Sequence, residues 1–204
     1  MNKITHIIGI DEAGRGPLAG PLAIGIACIP VDFDWNTIPG VGDSKKVSAK
    51  NREAIFRRAQ SLKKNGILNF VVVQISTPII DRIGITKAVS LGITRGLLKL
   101  DMNPKSVDVR LDGLLHAPEE YMHQETIIKG DAKEKVIGLA SICAKVTRDR
   151  TMVRLAPKYP EYMFDVHKGY GTKVHIDAIA KCGLSTVHRR TFAARFWEKK
   201  KTLQ

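Results

Sequence analysis

The amino-acid sequence predicts an α/β fold in which helices flank a mixed β-sheet. Two short apolar runs rich in isoleucine come first, and further apolar runs then alternate with amphipathic patterns of helical length. Strands that precede such an alternation favour a mixed sheet of the α/β or α+β class. A length of 204 residues suits one domain, or one domain with a small appendage.

The predicted strands are short stretches dominated by apolar and β-branched residues. A segment rich in glycine and proline separates the first two strands, which predicts a tight loop between them. Strands are expected at residues 4–10, 22–29, 67–75, 107–111 and 125–128.

The predicted helices follow from the spacing of apolar residues and from capping residues. Residues 48–64 set Ile55, Ala59 and Leu62 among charges, which is the pattern of an amphipathic helix. Thr77 and Pro78 are expected to be the N-cap and the first residue of another helix. Further helices are expected at residues 83–100, at residues 133–155 and over a stretch that ends near Cys182.

The sequence pattern changes after the long helix predicted at residues 133–155. From residue 168 onward a glycine-rich turn, a helix and a basic tail follow one another. We therefore expect a main domain at residues 1–160 and a C-terminal helical extension at residues 161–204 that packs on it.

The charge balance is strongly basic, with 33 Lys and Arg against 20 Asp and Glu and a formal net charge of +13. Polyanions such as nucleic acids are the partners that this charge favours, although a basic balance also suits proteins that bind no nucleic acid.

No stretch reaches the roughly 18–20 apolar residues of a membrane span, so no membrane partner is expected. Three widely spaced cysteines argue against a disulfide framework or structural zinc, and we expect a reduced, cytoplasmic chain.

Carboxylates stand at the ends of two predicted strands. Asp11 and Glu12 end the first strand, and Asp112 ends the strand at residues 107–111. Buried carboxylates need a partner, and a hard divalent cation such as Mg²⁺ takes oxygen ligands of this kind. Adjacent strand residues point to opposite faces, so Asp11 and Glu12 share a site only if the strand ends or twists there. The alternative is that these acids are turn formers and partners of Arg15 and Arg110.

Asp131 has two interpretations. Asp131 and Glu134 have the spacing of a capping box in front of the long helix, with Asp131 as the N-cap. On spacing alone this cap is favoured over a metal ligand, although one carboxylate can serve both purposes.

Several other residues suit contacts with a nucleic acid. Gly14, Arg15 and Gly16 have the composition of a phosphate-binding loop, although an ordinary turn between strands is the more frequent explanation. Ser44 and Lys45 offer donors for phosphate, or form a solvated turn before a helix. Tyr170 lies between two glycines and near basic residues, where its ring could stack on a base or sugar or simply pack in the protein. The alternating charges of Arg148, Asp149 and Arg150 could equally form a run of surface ion pairs.

Seven segments together resemble the ribonuclease HII family, the type 2 ribonucleases H. They occur in the family's order and span nearly the whole chain: IDEAGRGPLAGP at 10–21, DSKK at 43–46, LDG at 111–113, KGD at 129–131, ASICAKV at 140–146 with RDR at 148–150, HKGYGT at 167–172 and HRR at 188–190. The resemblance implies a ribonuclease H-like mixed sheet flanked by helices, with a catalytic domain at residues 1–160 and a C-terminal helical extension. It also implies endonucleolytic cleavage of RNA in RNA–DNA hybrids and incision 5′ to a ribonucleotide embedded in duplex DNA.

The resemblance also assigns roles to residues of this chain. The family's four acidic residues are matched here by Asp11, Glu12, Asp112 and Asp131, which implies that Asp131 is catalytic. The match also implies two Mg²⁺ or Mn²⁺ ions and cleavage that leaves 5′-phosphate and 3′-hydroxyl ends. The loop of Gly14, Arg15 and Gly16 matches the one that the family uses at the ribose and the RNA–DNA junction. Tyr170 matches its junction-sensing tyrosine. The expected partners are RNA–DNA hybrids and ribonucleotide-containing duplex DNA, with the protein acting as a monomer.

Two other functions compete with this interpretation. A non-catalytic basic module that binds nucleic acid would explain the charge, but it leaves the carboxylates at the strand ends unexplained. A DNA-cutting nuclease or recombinase of related fold would share the acidic cluster but not the glycine loop with Tyr170.

Overall fold

The computed structural model describes residues 3–42, 44 and 47–201, with side chains described as far as Trp197. A five-stranded sheet lies at the centre of this part of the chain, in the order β3-β2-β1-β4-β5. Its strands are β1 (His6–Ala13), β2 (Leu22–Pro30), β3 (Asn69–Ile75), β4 (Val107–Asp112) and β5 (Gln124–Ile127). The strands β1, β2 and β3 pair antiparallel, whereas β4 pairs parallel with both β1 and β5. The sheet is therefore mixed, and the predicted fold class is confirmed.

Helices of very different length accompany the sheet. They are α1 (Ala49–Lys64), α2 (Thr77–Ile83), α3 (Ile85–Leu100), α4 (Gly130–Lys133), α5 (Lys135–Leu155), α6 (Phe164–His167), α7 (Lys173–Cys182) and α8 (Arg190–Lys201). The predicted N-cap at Thr77 is wrong, because Ser76 has the extended backbone of the cap and Thr77 already lies inside α2. The helix expected from residue 83 begins at Ile85, because Gly84 adopts a φ of 79° between α2 and α3.

The sheet carries a separate apolar core on each face. Ile8, Ile10, Ile24 and Ile26 belong to the core that includes α3. Ala27 and Ile29 belong to the core on the other face, together with residues of α1 and α5. A central strand that is covered on both sides must be apolar on both sides, which explains why β2 is an almost unbroken apolar run.

Helix α5 lies directly on β1 and β2, at a distance that only glycine permits. A Cβ atom added to Gly9 would lie 2.3 Å from the Val136 carbonyl oxygen, and one added to Gly25 would lie 2.1 Å from that of Ala140. Two glycines therefore allow the helix backbone to rest on the strands. This packing brings the middle of α5 over the C-terminal part of β1.

The C-terminal elements pack around a smaller apolar cluster. This cluster contains Leu18 and Ala19 of the loop between β1 and β2 and Met152 of α5, together with Phe164 and Ile179. The loop after β1 is therefore held between the sheet and the C-terminal part of the chain. No helix within residues 3–42, 44 and 47–201 is long and apolar enough to cross a membrane.

Candidate active site

Asp11 and Asp112 lie side by side at the C-terminal ends of two parallel strands. The register pairs Ile10 of β1 with Leu111 of β4, so the next residue on each strand is one of these aspartates. Because neighbouring residues of paired strands share a face, both carboxylates point to the side covered by α5. Parallel pairing thus brings together two acids that are about a hundred residues apart in the sequence.

Glu12 points to the opposite face, because β1 continues as far as Ala13. The strand does not end between Asp11 and Glu12. Glu12 nevertheless lines the same cleft as Asp11, and Arg15 Nη1 lies 3.6 Å from its Oε1 atom. Burial raises the pKa of Glu12, the positive charge of Arg15 lowers it, and the nearby charge of Asp112 raises it further. Arg15 therefore lies beside Glu12, as the alternative interpretation of this acid expects. Arg110, the other expected partner of the strand-end acids, pairs with Asp108 and Glu134 instead.

Asp11 is held in an environment that disfavours its negative charge. Its pKa is raised to about 8, first by burial and then by repulsion from Glu12 and Asp112, while a hydrogen bond with the Ser141 side chain acts in the opposite direction. Ser141 in turn lies 2.7 Å, Oγ to Oγ, from Ser44. A divalent cation beside Asp11 would offset both its burial and the repulsion, so these oxygen donors fit Mg²⁺ or Mn²⁺.

Asp112 connects the sheet to the segment that contains Asp131. The Gly130 backbone N–H donates to Asp112 Oδ1 at 2.6 Å. Asp131 follows as a buried residue in the first turn of α4. The predicted cap is wrong, because Glu134 occupies the N-cap position of α5 and separates the two helices with an extended backbone. Asp131 is therefore not the N-cap residue of the long helix.

Most of the predicted site residues surround one cleft of about 470 Å³. It is lined by Asp11, Glu12, Ala13, Gly14, Arg15, Gly16, Ser44, Arg52, Asp112, Ser141, Lys145 and Tyr170. Asp131 does not line this cleft, and Lys45 falls outside the described residues. Among the residues with described side chains, no three His, Cys, Asp or Glu form a group that could hold a metal ion. A larger groove of about 710 Å³ between α1 and α5 contains none of the four predicted acids.

Tyr170 forms one wall of the cleft and lies among cations. Lys145 Nζ and Arg148 Cζ both lie 5.6 Å from the centre of its ring. Its side chain is partly exposed, so the ring keeps a surface on which another planar group could stack.

Three polar residues of the cleft are absent from the sequence-based prediction of the site: Arg52, Ser141 and Lys145. Ser141 and Lys145 are four residues apart, which places them on one face of α5 and could have indicated a shared role. Arg52 donates to the backbone oxygens of Ser44 and Val47, so it supports the loop that brings Ser44 to the cleft.

Known proteins match this chain over most of its length, both in sequence and in structure. A family model described as Ribonuclease HII matches residues 8–199. A Ribonuclease HII of Endomicrobium trichonymphae is 44% identical over 188 residues, which cover 92% of this chain and 85% of that protein. The crystal structure of the ribonuclease H2 from Pyrococcus horikoshii OT3 aligns with a TM-score of 0.73 at 27% identity and covers 96% of this chain and 99% of that one. The structure of Bst-RNase HIII in complex with Mn²⁺ aligns with a TM-score of 0.75 at 19% identity over 98% of this chain and 70% of that one, a likeness of fold alone.

Proposed function

Because this chain belongs to the ribonuclease HII family and is a ribonuclease H endonuclease, we propose that it cleaves RNA in RNA–DNA hybrids and incises duplex DNA 5′ to an embedded ribonucleotide. The observation that carries this proposal is the cleft in which Asp11, Asp112 and the glycine loop meet. A basic module without catalytic activity would have no use for buried carboxylates at a surface that receives a polyanion.

The proposed metal ligands are Asp11, Glu12, Asp112 and Asp131. Two Mg²⁺ or Mn²⁺ ions held by these carboxylates would activate water and polarise the scissile phosphate, so that 5′-phosphate and 3′-hydroxyl ends result. Support comes from the oxygen-only donor set, from the raised pKa of Asp11, and from the Mn²⁺ complex of the structurally similar Bst-RNase HIII. Ser141 would orient the Asp11 carboxylate through its hydrogen bond.

Recognition of RNA must depend on the 2′-hydroxyl, the group that distinguishes the two sugars. Gly14, Arg15 and Gly16 are the proposed readers, because a Cβ atom added to Gly16 would meet nothing within 4 Å and a substrate can therefore approach its backbone. Tyr170 would stack on the sugar or base at the junction, and Ser44 and Lys45 would contact phosphate.

We also propose that residues 1–160 form the catalytic domain, that residues 161–204 form an extension packed on it, and that the protein is a cytoplasmic monomer. The separate apolar cluster around Phe164 supports the division of the chain. The unpaired cysteines Cys28, Cys143 and Cys182 suit a reducing compartment.

The decisive experiment is cleavage of a DNA duplex that carries one ribonucleotide, in the presence of Mg²⁺. We expect Asp11→Asn to remove more than nine tenths of the turnover while folding and duplex binding persist, because the change deletes a ligand charge and keeps the size of the side chain. Asp32→Asn is the matched control, since Asp32 is exposed just beyond the opposite end of β2. An Asp11→Asn protein that cuts within tenfold of the parent rate would exclude Asp11 as an essential ligand. A parent protein that binds the duplex without cutting it would favour the binding module.

A further inference from the structure

Two arginines are fully buried beneath the loop that joins β1 to β2. Arg148 belongs to α5, and Arg189 directly precedes α8. Neither forms a salt bridge with a carboxylate of the described residues, and their hydrogen bonds go to backbone carbonyl groups instead. The interpretation of residue 148 as part of a surface run of ion pairs is therefore wrong.

The two guanidinium groups bind five carbonyl oxygens of this loop. Arg189 donates to Gly14, Arg15 and Gly20 at 2.6, 2.9 and 3.0 Å. Arg148 donates to the carbonyl oxygens of Ala19 and Pro21 at 3.1 and 2.9 Å. The backbone from residue 14 to residue 21 is thus fixed from below by two side chains from the distant C-terminal half of the chain.

This arrangement is costly for stability alone. Burial and the nearby charge of Arg148 lower the pKa of Arg189 to about 9. Arg148 Nη1 is buried without a hydrogen-bond partner in the described part of the chain. A buried cation without a carboxylate is expensive, and a loop could be anchored by neutral donors at lower cost. A positive charge directly below a surface that receives phosphate offers a reason to retain both arginines.

The hydrogen bonds of Arg189 also determine where the loop's N–H groups point. In a trans peptide the carbonyl of one residue and the N–H of the next point in opposite directions. Because the carbonyls of Gly14 and Arg15 are turned inward to Arg189, the N–H groups of Arg15 and Gly16 are turned outward. Neither N–H donates to another described residue, and both residues are exposed at the cleft.

We propose that Arg148 and Arg189 are positioning residues for ribonucleotide recognition, which hold the loop so that the Arg15 and Gly16 N–H groups can donate to oxygen atoms of the substrate. The proposal rests on the proposed function, because it takes this loop to be the part that meets the ribonucleotide. Arg148 also contacts the ring of Tyr170, so it couples the loop to the stacking surface on the other side of the cleft.

Substitution of each arginine by lysine tests the proposal. Lysine keeps the charge but carries its donors on one atom, so Arg189→Lys cannot reach three separate carbonyls. We expect Arg189→Lys and Arg148→Lys each to raise KM for a duplex with one ribonucleotide about tenfold, with kcat within about threefold of the parent. The preference for this duplex over an all-DNA competitor should also fall about tenfold, the scale of one or two lost hydrogen bonds. Arg95→Lys, an exposed residue of α3, is the matched control.

A merely structural role predicts a different result. The lysine variants would then melt at a lower temperature yet show the parent KM and the parent preference for the ribonucleotide, which would overturn the proposal. A loss confined to kcat would also overturn it. If the parent itself fails to cut the ribonucleotide duplex, the proposed function fails, whereas an active parent with unaffected variants rejects this inference alone.

A second measurement uses the unaltered protein and does not depend on whether the variants fold. Without divalent metal, addition of the ribonucleotide duplex should shift the amide NMR signals of Arg15 and Gly16, and the all-DNA duplex should shift them much less. Equal shifts with both duplexes, or no shift, would contradict the proposed orientation of these N–H groups.

Discussion

At the scale of single residues, two glycines of the loop after β1 serve different physical purposes. Gly14 has a φ of 87°, and a Cβ atom there would lie 1.9 Å from Nε of the buried Arg148. Gly16 needs no unusual φ, and a Cβ atom there would meet nothing within 4 Å. Gly14 is therefore required by the protein itself, whereas Gly16 leaves room for something outside the protein.

Alanine substitutions should separate these two requirements. We expect Gly14→Ala to lower the free energy of unfolding by about 1–3 kcal/mol, because it forces both a strained φ and a clash with Arg148. Gly16→Ala should leave thermal melting unchanged and reduce cleavage at a single ribonucleotide, because its methyl group stands where the substrate approaches. Melting curves and cleavage rates of both variants check this expectation. Parent-like cleavage by a stable Gly16→Ala protein would remove Gly16 from the recognition surface.

At the scale of elements, the contact between α5 and the sheet determines the geometry of the site. The helix reaches the strands because Gly9 and Gly25 have no side chains, and the same contact places the Ser141 side chain within hydrogen-bond distance of Asp11. Strand packing and site geometry therefore depend on the same two glycines.

We expect Gly25→Ala to destabilise the fold and to lower activity together. Its methyl group would lie 2.1 Å from the Ala140 carbonyl oxygen, a rigid backbone atom one residue before Ser141. Relief of this clash must move α5 away from β2, at a cost of about 1–3 kcal/mol. Gly42→Ala is the control, because it has open space for a methyl group. Urea unfolding measures the effect, and equal stability of the two variants would show that α5 tolerates displacement.

The elements were predictable from the sequence to the extent that their signals are local. Apolar runs identified β1, β2 and β3, because strands near the centre of the sheet are covered on both faces. The strand β4 alternates apolar with charged residues, and the short β5 is mostly polar, so their signals are weaker. The N-cap of α2 was predicted at Thr77 instead of Ser76 because serine and threonine both cap helices. Only the backbone conformation distinguishes the two positions. The break at Glu134 also has no clear local signal.

The site was predictable in part, for a related reason. Acids at strand ends and glycines in a loop are visible in the sequence, whereas the partners of Arg148 are more than a hundred residues away along the chain. Beside Asp149 and Arg150, this arginine has the local sequence of a surface position. Only the tertiary fold reveals that its donors are used by the loop after β1.

At the scale of the whole molecule, a buried histidine cluster connects the C-terminal part of the chain to the rest. His175 and His188 lie 3.0 Å apart, Nε2 to Nε2, and the rings of His167 and His175 stack with centres 4.4 Å apart. The backbone of His188 forms a bridge with Ala19 in the loop after β1. The cluster thus lies where the C-terminal elements meet the loop of the cleft.

The histidines make this junction sensitive to acid. Burial, together with the charge of neighbouring histidines, lowers the pKa of His175 and of His188 to about 4. The pKa of His167 is lowered as well, chiefly by burial. The charge of Asp165 acts against this change, and the charge of Lys168 adds to it. Since an unfolded histidine titrates near 6.5, the unfolded state binds more protons between about pH 6.5 and pH 4. The stability contributed by neutral histidines is therefore complete above pH 6.5 and is lost as the pH falls towards 4.

We expect the free energy of unfolding to fall by about 2 kcal/mol for each of His175 and His188 between pH 7.5 and pH 5, from their pKa differences. The raised pKa of Asp11 acts in the opposite sense, because acid favours its protonated, folded form. The measurement is therefore made by urea unfolding in the Asp11→Asn background.

His188→Asn keeps an acceptor for the Ser185 N–H but cannot be protonated, so its stability should depend less on pH by about one histidine's contribution. Replacement of the exposed His116 by Gln should leave the pH dependence unchanged. An equal pH dependence in all three proteins would show that folding does not lower the pKa of His188.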